Sequence, residues 1–514
     1  MSSASVTAGL PVRHPGKFYI GGEWVSPSTE SVIDVVNPAS EEVFLQVAAA
    51  EAADMDRAVT AARDAFDTGP WPRMTHAERA GYLRAIAAEI RERSAEFARL
   101  WTSEMGVVHA AALRGTPRFA AVYEYYADFA DHYDFIERHE PTGGEAVGLL
   151  VREPVGVVGA IVPWNAPLAL IAYKTAPALI AGCTLVLKAS PEAPGEAYLM
   201  AEIAEKIGLP PGVFNAVTAD REVSEQLVQD SRVDKITFTG STAVGRQIAT
   251  VMGNRIGRYT LELGGKSAAV VLDDYDVSTV AESIARTAPM STGQVCASLT
   301  RIVVNRRRHD ELAEVLAASL SAIKVGDPFD PASGMGPLAM RRQLECVEGY
   351  ITQGKAQGAT LVTGGRRPTG LDRGYYIEPT VFANVDNSST IAQEEIFGPV
   401  LSVIAADDEE QAIDIANDTI YGLNASVFTN DPDRALAVAR RLRAGTVGHN
   451  AKRTDFGIAF GGFKQSGIGR EGGKEGISAF LETKTIILEA EPSSPLLPAA
   501  NAGSHRDAGG TLSG

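Results

Sequence analysis

Apolar and polar residues alternate along the chain in two rhythms, and each rhythm predicts an element. From Asp54 onward, Met55, Ala58, Val59, Ala62 and Phe66 recur at helical spacing on one face, which predicts an amphipathic helix. A second helix opens at Thr75, whose hydroxyl can cap the first turn while Glu78 reaches back to its amide. Leu83, Ile86, Ala87 and Ile90 supply its apolar stripe. Beyond it the rhythm changes: short apolar runs at Val155 to Val162, Thr184 to Leu187, Lys235 to Thr239 and Ala268 to Leu272 alternate with helical stretches. That alternation is the mark of parallel βαβ units and predicts a doubly wound sheet. Helical periodicity over Asp310 to Ile323, Glu409 to Ala416 and Pro432 to Leu442, with strands such as Val400 to Ile404 between, predicts a second α/β domain.

Pro154 to Tyr173 carries no charge and is about as long as a bilayer-spanning helix. Gly156, Gly159, Pro163, Asn165 and Pro167 interrupt it, so it reads as a buried strand running into a loop. Met1 to Gly16 lacks the apolar core of a signal peptide, and Pro492 to Gly514 is rich in Pro, Ala, Gly and Ser, the composition of a mobile tail. No internal repeat is evident.

Composition narrows the function. At 514 residues the chain exceeds one ordinary core, so two large domains are expected. A net charge of -17 disfavours a nucleic-acid partner, because a phosphate backbone repels an acidic surface. The three cysteines, Cys183, Cys346 and Cys296, are too few and too scattered for a disulfide framework or a Cys-based zinc site, which fits a reducing cytoplasm. The eight histidines form no HExxH motif, and no GxSxG elbow occurs, so neither a metal site nor a serine hydrolase is expected.

The run Lys235-Ile236-Thr237-Phe238-Thr239-Gly240-Ser241-Thr242-Ala243-Val244-Gly245 reads as strand, glycine turn and helix start, where free N–H groups and the helix dipole can receive a pyrophosphate. Its GxxxxG spacing is not the usual dinucleotide fingerprint, and a glycine turn between strand and helix is also ordinary topology. Cys296, in Gly293-Gln294-Val295-Cys296, reads by itself as a small buried hydrophobe. Its company changes that reading: Pro163-Trp164-Asn165, Glu262-Leu263-Gly264-Gly265-Lys266 and Glu394-Glu395-Ile396-Phe397-Gly398-Pro399. With these motifs the chain resembles the NAD(P)-dependent aldehyde dehydrogenase superfamily. The resemblance runs from Phe18-Tyr19-Ile20-Gly21-Gly22-Glu23-Trp24 to Glu482-Thr483-Lys484 and includes Phe460 to Glu471.

The resemblance implies an α/β fold with a Rossmann-type cofactor domain (18–133 and 151–261), a catalytic domain (262–476) and a small β oligomerisation arm (134–150 and 477–490). A flexible N-terminus (1–17) and tail (491–514) would flank them, and a homodimer or homotetramer would form. It also assigns roles. Cys296 would attack the aldehyde carbonyl as thiolate, Asn165 and the Cys296 amide would hold the oxyanion, and Glu262 would activate water against the thioester. Members that pass the acyl group to coenzyme A commonly lack this Glu, so hydrolysis is favoured. Lys174 and Glu471 resemble a pair near the proton exit, with surface ion pairing the competing reading.

Trp164, Lys188, Gly240, Ser241, Gly245, Leu263, Glu395 and Phe397 would hold NAD. NAD-preferring relatives often carry Glu three residues after the lysine; this chain has Pro191 there, which leaves NADP open. Ala166, Leu170, Tyr173, Met290, Val295, Thr454 and Phe460 would line the substrate tunnel. Relatives commonly carry aromatic residues and Asn where this chain has Pro289, Met290 and Ser291. The apolar lining implies a bulky hydrophobic aldehyde, aromatic or terpenoid-like, unless Arg453 reaches in to bind a carboxylate. The rival readings are a coenzyme A-acylating enzyme and a non-catalytic protein of the same fold. No membrane or nucleic-acid partner is expected.

Overall fold

The computed structural model describes residues 11–144 and 147–492; the expected flexible ends lie outside these residues except at their inner edges. Residues 11–17, counted above with a flexible lead, are held: the Arg13 amide donates to Glu202, Tyr198 donates to the Pro15 carbonyl, and His14 packs on Trp24.

Both predicted N-terminal helices are present. Ala52–Asp67 starts two residues before Asp54, because Glu51 and Asp54 form a reciprocal capping box there. His76–Glu92 is capped by Thr75 and Glu78 as the sequence predicts. The buried faces of both carry the predicted stripe residues, apart from the half-buried Phe66.

Two large sheets form the architecture. The first orders its strands Gly467–Ile468, Arg258–Glu262, Lys235–Thr239, Val157–Ile161, Thr184–Ala189, Phe214–Thr218, Phe18–Ile20 and Glu23–Val25. The middle five are parallel. The chain winds outward from Val157–Ile161 in one direction and then, through Lys235–Thr239, in the other. The gap beyond the C-terminal ends of those two strands is therefore a topological switch point, where open α/β sheets bind ligands. The second sheet runs Thr360–Thr363, Thr380–Ala383, Val400–Ala406, Leu299–Asn305, Ser267–Val271, Asn424–Phe428 and Thr446–His449, parallel except at its first strand.

The run at Ala268 to Leu272 belongs to this second sheet and does not extend the first. Periodicity identifies a buried strand but not its partners. The uncharged stretch from Pro154 also departs from expectation, since Pro167 opens the helix Pro167–Ala181. Proline is well suited to the first helical position, where its missing N–H costs nothing. None of the helices among the described residues is long and apolar enough to cross a membrane. A third sheet joins Leu481–Leu488, Val147–Pro154 and Ile136–His139, with the middle strand reaching past residue 150.

Candidate active site

At the switch point lies a cavity of about 770 Å³. Its walls include the strand ends, at Pro163 and Trp164, Lys188, Ser190 to Glu192, Asp220 and Arg221, and Thr239 and Gly240, together with helical residues such as Glu225 and Val244. Of the residues expected to hold a dinucleotide, Trp164, Lys188 and Gly240 line it directly. Ser241 follows as the N-cap of the helix Thr242–Asn254, its hydroxyl accepting from the Val244 amide. Gly245 and Leu263 pack together behind the turn, so close that a Cβ on Gly245 would stand 2.6 Å from the leucine methyl. The Lys188 ammonium is buried and unpaired among the described residues; burial holds it down to about 8, against the charges of Glu192 and Asp220. A buried ammonium without a partner, in a roomy cleft at a helix N-terminus, fits a polyhydroxylated, anionic dinucleotide.

Trp164, on the wall of this cavity, meets the ring of Phe397 edge-on at 5.4 Å. Phe397 has φ 55 and its carbonyl accepts from Gln343. Nearby, Glu395 accepts from the Gly265 amide at 3.0 Å, and burial raises its carboxyl to about 7. Gly265 must lack a side chain, because a Cβ there would stand 2.3 Å from the Cys296 carbonyl oxygen.

The loop before Cys296 is strained and locked. Ser291 and Thr292 sit at φ 48 and 54, followed by Gly293 at φ 74. The Thr292 hydroxyl donates to the Gly336 and Pro337 carbonyls, Gln294 donates to the Ser291 carbonyl, and the Gln294 carbonyl oxygen of its side chain accepts from the Ala339 amide. Strained backbone held this firmly is characteristic of sites that must present one side chain without wandering. Asn165 reaches the same loop: its side-chain amide donates to the Gln294 carbonyl at 3.1 Å, and its own carbonyl accepts from Trp101. An amide nitrogen has two hydrogens, so one remains for a ligand. Cys296 is half-buried against Leu423, Phe456 and Phe460, and burial, then Glu395 and Glu262, push its thiol up to about 12.

Glu262 ends the strand Arg258–Glu262, and both of its carboxylate oxygens are buried without a partner among the described residues. Burial and, after it, the charge of Glu471 hold its carboxyl well above the usual range. Behind it Lys174 donates to Glu471 at 2.5 Å and to Thr239 at 2.7 Å, and Thr239 is the register partner of Glu262. Lys174 and Glu471 are both buried, so surface ion pairing does not describe them. We expect Glu471→Gln to lower the pH at which Glu262 ionises, since loss of the glutamate charge and an unpaired Lys174 ammonium both favour the Glu262 carboxylate. Infrared difference titration of the buried carboxyl checks this, and an ionisation displaced upward would refute it.

The expected tunnel residues are only partly brought together. Tyr173 stacks on Phe456 at 3.6 Å, and Phe456 meets Phe460 at 4.9 Å, giving one aromatic wall beside the thiol. Ala166, Leu170 and Val295 are half-buried near it in sequence, whereas Thr454 is exposed and Met290 is 51% exposed. Phe456 escaped sequence reasoning, although Phe456 and Phe460 stand at i, i+4. Two charged residues escaped it as well. Lys452, rather than its neighbour Arg453, lies close enough to Cys296 for each charge to act on the other; Arg453 is exposed and donates to the His449 carbonyl. Glu192, one residue beyond Pro191, puts a carboxylate into the cofactor cavity.

Comparison with known proteins agrees with this architecture. The model of the aldehyde dehydrogenase family matches residues 24–486, and the chain belongs to that family. It is 42% identical over 472 residues to geranial dehydrogenase of Castellaniella defragrans, covering 91% of this chain and 98% of that protein. It is likewise 42% identical over 480 residues to 3-succinoylsemialdehyde-pyridine dehydrogenase of a Pseudomonas species, covering 93% and 99%. Among solved structures, a Mycobacterium tuberculosis aldehyde dehydrogenase complexed with NAD+ superposes with a TM-score of 0.90 at 45% identity, covering 92% of this chain and 98% of that one. A Pseudomonas syringae aldehyde dehydrogenase in complex with NAD+ and octanal gives 0.90 at 40% identity, covering 95% and 99%.

Proposed function

We propose that the protein oxidises a hydrophobic aldehyde to its carboxylic acid, with NAD as hydride acceptor, through a thioester on Cys296 that Glu262 helps water to cleave. The observation that carries this reading is convergence: Asn165 bonded into the nucleophile loop, and Glu262 within charge range of the Cys296 thiol, although they come from separate parts of the chain.

The chemistry follows from the environment of each group. Burial and the charges of Glu395 and Glu262 favour the protonated Cys296 thiol, so its proton must leave as the sulfur–carbon bond forms; Glu262, whose own affinity for protons is raised, receives it. The free Asn165 amide hydrogen and the Cys296 N–H stabilise the oxyanion, a contribution of about 3 to 4 kcal/mol per donor. A bound dinucleotide, held by Trp164, Lys188, Gly240, Ser241, Glu395 and Phe397, supplies the hydride acceptor. Once that first proton has passed on to solvent, Glu262 takes a proton from the water that attacks the thioester and returns it to the departing sulfur, so that the acid leaves and the thiol is restored. The unpartnered carboxylate oxygens of Glu262 provide the acceptors such a water needs.

The aromatic wall of Tyr173, Phe456 and Phe460 supports an aliphatic or aromatic substrate body, and the relatives named for geranial or solved with octanal agree in kind. Steady-state NADH formation across an aldehyde panel, without coenzyme A, tests the reading. We expect kcat/KM for octanal or geranial to exceed that for acetaldehyde by 10-fold or more, at roughly 0.8 kcal/mol for each additional methylene buried. Turnover that requires coenzyme A would overturn hydrolysis. Lys452 favours a second reading, in which the substrate carries a carboxylate that pairs with this ammonium. Preference for a carboxylate-bearing aldehyde would establish that reading in place of the first. We also propose a dimer or dimer of dimers, formed where Leu481–Leu488 leaves an open edge on the third sheet; a monomer by light scattering would refute it.

A further inference from the structure

The turn that presents Asn165 joins the strand Val157–Ile161 to the helix Pro167–Ala181, and its own residues do not cap that helix. Ala166, at the N-cap, has no side-chain oxygen, and Pro167, at the first helical position, has no N–H. The first amide of the helix that needs an acceptor is therefore that of Leu168, a residue buried from solvent. A carboxyl from another helix meets it: Glu196 Oε2 accepts from the Leu168 N–H.

Glu196 does not act alone. It lies in the first turn of Gly195–Lys206, and the Gly195 amide that opens this helix donates to Glu104 Oε1 at 2.7 Å. Gly195 permits the approach, because a Cβ there would stand 2.7 Å from the same oxygen. Glu104 lies in the last turn of the helix Ser94–Met105, and one turn earlier Trp101 donates its ring N–H to the Asn165 carbonyl at 3.2 Å. The turn is thus held at both ends, at Asn165 by Trp101 and at Leu168 by Glu196, and Glu104 links the two holders. Glu104 and Glu196 are each 1% exposed, and neither pairs with a cation among the described residues. Burial raises both carboxyls, Glu196 to about 8, and the charge of Glu196 raises Glu104 further. Burying an acid without a counter-ion is unfavourable unless its oxygens are bonded. Here the bonded oxygen serves the helix that begins just after Asn165, and a neutral acid serves it as an anion would, since either presents an oxygen to an N–H.

Given the reading of Asn165 as an oxyanion donor, on which the inference rests, we propose that Glu196 is a positioning residue for that donor. By fixing the Leu168 amide it fixes the start of Pro167–Ala181, and the Asn165 side chain stays aimed at the reacting carbonyl. Without this bond the Leu168 N–H is left buried and unsatisfied, so the first turn must open to find an acceptor, which carries Asn165 away from the oxyanion. A displacement of about 1 Å in such a site costs on the order of 100-fold in rate. Glu196 lies outside the cofactor cavity and outside the cluster around Cys296, so its effect on the rate passes through the turn.

A double-mutant cycle on single-turnover NADH formation, at saturating NAD and with enzyme in excess of octanal, tests this. Asn165→Ala should slow the turnover by roughly 100- to 1,000-fold. Glu196→Ala should slow it by about 10-fold or more, and Glu196→Gln, which keeps an oxygen for the Leu168 amide, should stay within about 3-fold of wild type. In the Asn165→Ala background the same Glu196→Ala change should cost less than about 3-fold, because the side chain it positions is gone. A larger loss in that background overturns the proposal, since Glu196 would then support the fold at large. Glu196→Gln as slow as Glu196→Ala overturns it as well, because the acid and not the bond at Leu168 would then matter. If Asn165→Ala leaves the rate unchanged, the oxyanion reading fails and the proposal with it; if Asn165→Ala is slow and Glu196→Ala is not, only the positioning role fails. Thermal melting reports whether each variant folds. Where Glu196→Ala does not, Glu196→Asp takes its place in the cycle: it keeps a buried acid, draws the carboxyl back from the Leu168 amide by one methylene, and should lose the same rate.

Discussion

We expect Cys296→Ala to abolish aldehyde-dependent NADH formation, with a loss on the order of 10,000-fold or more, while dinucleotide binding and thermal stability stay close to wild type. The size of the effect follows from the absence of a substitute. Cys183 is buried and donates to the Phe480 carbonyl, and Cys346 sits on the helix Arg341–Ala356. Neither belongs to the apolar cluster around Cys296. Asn165 and the loop amide remain in the variant, but an oxyanion site has nothing to stabilise until a nucleophile has added to the carbonyl. The fold should survive because Cys296 is half-buried and its loop is held by Thr292 and Gln294, not by sulfur. Stopped-flow absorbance at the NADH band, with a thermal melt of the same preparation, checks both halves. A residual burst near one equivalent per subunit would show that another group carries the acyl chain.

The sequence made some parts of this site legible and hid others for physical reasons. The capping box at Thr75 and Glu78 was readable because both partners lie within one turn, and short-range chemistry leaves short-range patterns. The strand Lys235–Thr239 and its glycine turn were equally local. The apolar pattern alone did not allot Ala268 to Leu272 to a sheet, since a fully buried strand looks alike in either one; only the family resemblance put these residues with the second domain. Glu192 illustrates the same limit at the level of function: the sequence shows an absent acid at Pro191, whereas the cavity shows a carboxylate supplied one residue later and held by an arginine from another domain. Lys452 stayed hidden because nothing periodic marks a loop residue. Its direction is fixed by Ser426 and Asn424, which bind the carbonyls of Ala451 and Arg453 on either side of it.

Glu262→Gln should separate the two halves of the reaction. The amide matches the carboxyl in size and can still bind a water, but it cannot accept the water's proton at neutral pH. Acylation needs only one proton to leave the thiol, and substitutes for that base exist in bulk water and hydroxide; cleavage of the thioester depends on activating a water inside a closed pocket. We therefore expect a burst of about one NADH per active site, followed by a steady state slower by roughly 100- to 10,000-fold, the usual worth of a positioned general base. Mass spectrometry should find the acyl group on Cys296 after the burst. The pH profile carries an independent signature: burial and the Glu471 charge raise the Glu262 carboxyl, so wild-type hydrolysis gains rate as pH rises through that raised value, and the variant lacks this limb. Loss of the burst together with the steady state would make Glu262 indispensable to acylation as well, with no substitute base, and unchanged turnover would remove it from the mechanism.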